Sequence, residues 1–229
     1  MKPLKSSHCT WRAPATAALA LAFITISFVA AAAPPGTSLY VPTKQEYDEA
    51  LKTATAQLQT CVASRRINGG IEIDGILDES DWGLAPVSTG FIQREPDDGE
   101  PSAETTFFRV LYDDEYIYVG ITALDSQADQ RVGRLTRRDN STPSDWLGVA
   151  VDSYDDKRTA FDFMVNPAGV KRDRFWYDDN NTDDNWNAVW HVGTSVDDEG
   201  WTAEFRIPFN QLRYSGNGHT KSWGMQVYR

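Results

Sequence analysis

From Ile71 onward, apolar and polar positions alternate with a period of two. Ile71 and Ile73 flank Glu72, which predicts a half-buried strand. Asp74-Gly75 then supplies a turn, and Leu77-Asp78-Glu79 leads to a buried Trp82. Phe107 to Tyr112 and Tyr116 to Ala123 are rich in aromatic and β-branched residues. Asp113-Asp114-Glu115 joins them as a hairpin loop. Leu147, Val149 and Val151 alternate with Trp146, Gly148, Ala150 and Asp152. Phe161, Phe163 and Val165 alternate with Asp162, Met164 and Asn166. Two more such runs are Trp201–Ile207 and Trp223–Tyr228. Repeated half-buried strands separated by turn-rich gaps predict an all-β, antiparallel β-sandwich. Upstream, the period is helical. Thr43 and Glu46 fit a capping box, and Tyr47, Leu51, Ala54, Leu58 and Cys61 recur at helix spacing. This predicts a leader helix from about Lys44 to Ser64, ended by Asn68-Gly69-Gly70.

The first residues have a different character. Lys2, Lys5 and Arg12 precede an uncharged apolar run, Ala17 to Val29, and Ala30 to Ala33 offers small-residue cleavage choices. That order is expected of a secretory signal peptide, and the run is short for a membrane span. The organisation read from the chain is a signal peptide over 1–33, a linker and amphipathic helix over 34–70, and the sandwich over 71–229. Arg229 falls inside an apparent strand, so the sandwich is expected to be part of a longer protein. Export to the periplasm, the outer membrane or the extracellular space follows as an expectation.

Charge narrows the partners. The formal net charge is −11, and loss of the first 33 residues, whose only charges are Lys2, Lys5 and Arg12, makes it −14. Nucleic acid and anionic lipid are disfavoured as partners. Once Cys9 leaves with the signal, Cys61 remains alone, which excludes an intrachain disulfide.

Alternation also nominates a binding face. With Leu147, Phe163 and Met225 facing the core, Trp146, Gly148, Asp162, Met164, Asn166, Gln226 and Tyr228 share outer faces. A tryptophan beside amides suits saccharide: the ring stacks on C–H faces, and Asn166 and Gln226 bond hydroxyls. The alternative is that Trp146 lies covered. Trp176, Trp186 and Trp190 surround the polar segment Asp178–Asn185 and could form a binding rim, or Trp186 and Trp190 could pack as core flanks. Asp178, Asn180, Thr182 and Asp184 place oxygen ligands at alternate positions, which can wrap calcium, although the segment lacks the glycine and glutamate of an EF-hand. Asp74, Asp78, Glu79 and Asp81 could supply a carboxylate pair for glycoside hydrolysis, but they lie at a turn. No G-x-S-x-G, paired His or Cys zinc pattern, or phosphate loop occurs. No catalytic residue is assigned.

Five motifs in order carry a family resemblance. Ile71–Trp82 resembles the I-x-I-D-G-x-L-D-E-x-x-W opening of family-9 carbohydrate-binding modules. Tyr112–Gly120 resembles their hairpin, Asp145–Asp152 a later strand, Glu204–Leu212 (EFRIPFNQL) their E-x-x-I-P-F-x-x-L, and Trp223-Gly224 a strand start. The nearest variety stands at the N-terminus of large bacterial envelope proteins. The resemblance implies a jelly-roll β-sandwich that binds polysaccharide or oligosaccharide such as xylan and cellulose fragments, with structural calcium. It also implies a role in carbohydrate catabolism beside a glycoside hydrolase domain. A structural sandwich ahead of an outer-membrane barrel, or a fragment of an O-glycosyl hydrolase, are the alternatives. The family's sugar lies between two tryptophans. Here Thr142 stands at one of those positions, and Gly148 and Met164 replace the family's Glu and Arg. Asn166 and Gln226 match its polar positions.

Overall fold

A computed structural model of the protein describes residues 43, 45–46, 49, 61–178, 180–214 and 222–229, and the backbone of 24–29 and 60. Among the described residues, eleven strands form one continuous ladder. They are β1 (Ile24–Val29), β2 (Thr60–Arg65), β3 (Thr106–Tyr112), β4 (Tyr116–Leu124), β5 (Leu147–Asp152), β6 (Ala160–Val165), β7 (Lys171–Tyr177), β8 (Asn181–Asp183), β9 (His191–Val196), β10 (Gly200–Pro208) and β11 (Ser222–Tyr228). The order is β8-β7-β6-β5-β11-β1-β2-β3-β4-β10-β9. The two halves of the ladder face each other as the layers of a sandwich. Phe163 of β6 meets Trp190 edge-on at 5.3 Å, and Trp190 stacks on Phe205 of β10 at 5.8 Å.

The core follows the alternation. Val149, Val151, Phe161, Phe163, Val165, Met225 and Val227 from one layer meet Phe108, Val110, Val119, Ile121, Ala203 and Phe205 from the other. Each large apolar side chain taken fully from water contributes about 2 kcal/mol. Cys61 is buried in the same core, and burial pushes its thiol up to about 11. It is packing material rather than a bridge partner.

Local structure departs from the sequence pattern ahead of Asp74. Gln45, Glu46 and Glu49 are helical, and the Thr43–Glu46 capping pair forms, with the Glu46 amide donating to Thr43 Oγ1 at 3.3 Å. The rest of the expected helix up to residue 59 lies outside the described residues, but Thr60–Arg65 is a strand, parallel to β3 at Ser64 and Arg65. The sheet therefore takes in residues ahead of Ile71. Ile71–Ile73 pairs with no strand; it lies across a sheet face instead. Part of the apolar run assigned to a signal peptide forms β1, between β11 and β2. No helix among the described residues is long and apolar enough to cross a membrane.

Residues 67–85 form a third layer on the outer face of β3, β4, β10 and β9. Ile71, Trp82 and Ala85 pack on Leu111 and Tyr118, with Ile73, Leu77 and Leu84 at the margin. Buried Asp81 accepts the amides of Ile67 and Asn68, and Arg109 donates to the carbonyls of Trp82 and Ala85, each at 2.6 Å. That face of the sandwich is thus occupied by the protein itself.

Candidate functional site

The opposite outer face, on β7, β6, β5 and β11, carries a different set of residues. Antiparallel pairing sets Asp162 across from Arg174 and Gly148 across from both Met164 and Tyr228. Asp162 is fully buried. It accepts from Arg174 Nε at 2.7 Å, Trp176 Nε1 at 3.0 Å and the Tyr228 hydroxyl at 2.5 Å. The Arg174 guanidinium lies over the Trp176 ring at 4.4 Å. Burial alone would lower the Arg174 guanidinium, but the Asp162 charge and the Tyr228 hydroxyl reverse this and hold it above its ordinary value. Burial and the neighbouring Asp162 charge raise the Tyr228 hydroxyl well above its usual range. Any side chain at Gly148 would run into the Tyr228 ring, so glycine is what lets the tyrosine lie flat across β5.

Trp146 and Trp176, both half-buried, flank this network and pack on Ala150, Ala160, Met164 and Tyr228. Trp146 Nε1 donates to the Thr142 carbonyl at 3.4 Å. Gln226 sits in register with Ala150 on the same face, 7% exposed. Two indoles beside a fixed guanidinium make a polar-aromatic surface that can stack on a ring and donate to hydroxyls.

Other expected site residues lie elsewhere. Asn166 is fully buried and committed: Nδ2 donates to the Arg134 carbonyl at 2.8 Å and to Ser144 Oγ at 3.2 Å, while Oδ1 accepts the amides of Ala168 and Val170. It shapes the turn between β6 and β7 and has no group left for a ligand. Trp190 is 1% exposed in the core, and Trp186 packs against Phe161 and Phe163 at 5.1 and 5.7 Å. Both serve packing, not a rim. Of the expected aromatic rim, Trp176 alone lies on this face; Arg174 is not singled out by the sequence reading, and the alternation Arg172-x-Arg174-x-Trp176 is the signal that pairs the two.

The proposed calcium ligands are not gathered. Phe175–Tyr177 of β7 pairs antiparallel with Asn181–Asp183 of β8. Asp178, just after β7, pairs with Arg158 at 2.8 Å, and Asp184, just after β8, lies 3.5 Å from Arg172. Asn180 is exposed. With two carboxylates already facing arginines, Asp178, Asn180 and Asp184 do not fit a calcium site. Among the described residues, no three His, Cys, Asp or Glu side chains are grouped to hold a metal.

Three of the four entrance carboxylates hold backbone amides, and Asp78 is exposed. Asp74 Oδ1 accepts the Ile76 amide at 2.8 Å, and Glu79 Oε1 accepts the Glu72 amide at 2.8 Å. Glu204 of β10 is fully buried beneath them. It accepts Trp82 Nε1 at 3.1 Å and the amides of Asp74 and Gly75, each at 3.2 Å. Two of the motifs read from the sequence, at Ile71–Trp82 and Glu204–Leu212, are therefore one structural clamp.

A family model described as carbohydrate family 9 binding domain-like matches residues 73–229. Among solved structures, a family 9 carbohydrate-binding module from Caldicellulosiruptor kristjanssonii in complex with cellotriose is similar at 17% identity. It has a TM-score of 0.47 and covers 72% of this chain and 82% of that one. A second, in complex with glucose, is similar at 20% identity with a TM-score of 0.46, covering 71% and 76%. No curated protein matches the sequence.

Proposed function

The chain belongs to the carbohydrate family 9 binding domain-like family, and we propose that it is a non-catalytic module that binds oligosaccharide on the outer face of β5, β6, β7 and β11. The observation that carries this is the pair Trp146 and Trp176, half-buried around the Asp162–Arg174–Tyr228 network. An outward face of a sandwich gains little stability from two tryptophans and a buried ion pair. Such a pair roughly breaks even against apolar packing. Its value lies in holding a guanidinium and two indoles in a fixed arrangement before ligand arrives.

The absence of an assigned chemical step rests on Asp74, Glu79 and Asp81, each of which accepts backbone amides of its own layer. Hydrolysis would belong to a separate domain. Export is supported by the basic residues Lys2, Lys5 and Arg12 ahead of an uncharged apolar run.

Affinity electrophoresis and calorimetry against neutral β-linked xylose and glucose oligosaccharides test the reading. Trp146→Ala and Trp176→Ala should each weaken binding by about tenfold or more, the loss of one stacking contact. Unchanged affinity in both variants would move the site elsewhere.

A further inference from the structure

A cleft of about 540 Å³ opens between Ile71–Ile73, the start of β7, the start of β9 and the end of β10. That volume lies within the range of small-molecule sites. Its lining is basic in a strongly acidic protein: Lys171, His191 and Arg206 face it, with Glu72 the one acidic residue. His191 and Arg206 are direct partners in the β9–β10 ladder. A guanidinium set opposite an imidazole disfavours the imidazole's charged form unless an anionic counter-charge joins them.

The protein supplies little of that counter-charge. Among the described residues, Arg206 has no carboxylate within salt-bridge distance, and its Nε is buried without a partner. It lies over the Tyr116 ring at 5.3 Å, which fixes the head but neutralises nothing. Lys171 donates to the Trp190 carbonyl at 2.8 Å. The nearby Asp173 is already taken by Arg138 at 2.5 Å and by the Ala188 amide. Burial, then Arg206 and Lys171, lowers the His191 imidazole, as expected of a third basic group in a cationic cleft.

Resting on the saccharide-binding reading, we propose that this cleft binds the carboxylate of an acidic sugar unit. Arg206 offers a planar fork suited to a carboxylate, Lys171 and His191 add donors, and Ile71 and Ile73 supply an apolar wall for the ring. The negative surface elsewhere repels the same anion and confines it to this cleft.

The test uses the full chain, with a glucuronate-bearing disaccharide, its methyl ester and inorganic phosphate as probes. Binding is read by calorimetry and by the His191 ring resonances. The acid should shift the His191 signals and raise the imidazole's pKa. The ester, Arg206→Gln and Lys171→Gln should each cost about tenfold in affinity, as for loss of a charge-assisted hydrogen bond. Circular dichroism confirms that the variants fold. Equal binding of acid and ester, unchanged affinity in the variants, or a phosphate response equal to the acid's would overturn the proposal. Neutral oligosaccharide binding, measured with Trp146→Ala in the same series, separates the two readings. If it persists while the acid fails, only the cleft falls; if it fails while the acid binds, only the tryptophan face falls.

Discussion

Glu204 shows how one carboxylate can join two distant stretches of chain. Its oxygens accept two amides of the Asp74-Gly75 turn and the Trp82 indole, all from a segment more than 120 residues away in sequence. Burial pushes this carboxyl up to about 8; the charge of Glu79 adds to the shift, while the hydrogen bonds from Gly75 and Trp82 oppose it. The folded state therefore holds its proton more tightly than the unfolded chain, whose carboxyl titrates near 4.5. The sign follows from linkage: this contribution to stability is fully present below about pH 4.5 and is lost as pH rises through about 8. Glu204→Gln cannot titrate. Melting midpoints measured from pH 4 to pH 9 should show the wild type losing its advantage over Glu204→Gln as pH rises. A gap that stays constant with pH would mean that Glu204 does not carry this proton.

The segment that Glu204 clamps depends on close backbone approach. Gly75 has φ of 90°, and a Cβ there would fall 2.4 Å from the Thr194 backbone; Thr202 Oγ1 donates to the Gly75 carbonyl from the other side. Gly99 has φ of 89° with nothing within 4 Å of an added Cβ. The two glycines separate conformational cost from close packing. Gly99→Ala should cost about 1 kcal/mol for its backbone alone, whereas Gly75→Ala should cost about 2 to 3 kcal/mol more. Equal losses in chemical denaturation would show that the turn does not bear on β9. This tight docking also explains why Ile71–Ile73 reads as a strand yet forms none: its alternation serves a layer laid on a sheet, not a ladder. The strands with clean alternation, β3, β4, β5, β6, β10 and β11, were legible because one face of each meets the apolar core. β7 and β9 were not. β7 buries Asp173 inward and places Arg172 and Arg174 outward, and β9 carries Gly193, Thr194 and Ser195 where apolar residues would mark a strand. Without β7 read as a strand, nothing sets Arg174 beside Trp176. Asn166 was misread because alternation ends with the ladder at Val165, after which its side chain closes a turn. Trp190 precedes β9 and is free of any strand period, so it could turn inward.

In the described ladder, β1 is the strand that joins the two layers by backbone pairing. Ile24–Ser27 pairs antiparallel with Ser222–Met225 of β11, and Thr25–Val29 pairs parallel with Thr60–Ser64 of β2. The same residues lie in the apolar run expected to leave with a signal peptide, so maturation and sheet continuity compete for one segment. Packing between layers does not require β1, since Phe163, Trp190 and Phe205 already connect the two faces through side chains. The sandwich should therefore fold without it, but with two unpaired edges facing one slot. Hydrogen exchange on a chain that begins at Pro34 measures this directly. Amides of Ser222–Met225 and of Thr60–Ser64 should exchange much faster than those of β4 and β10, which keep both neighbours. Addition of a synthetic peptide spanning residues 22–31 should restore their protection if the slot accepts that strand. Full protection without the peptide would show that β11 and β2 close on each other or on a second copy, and a dimer seen by ultracentrifugation would identify the second case.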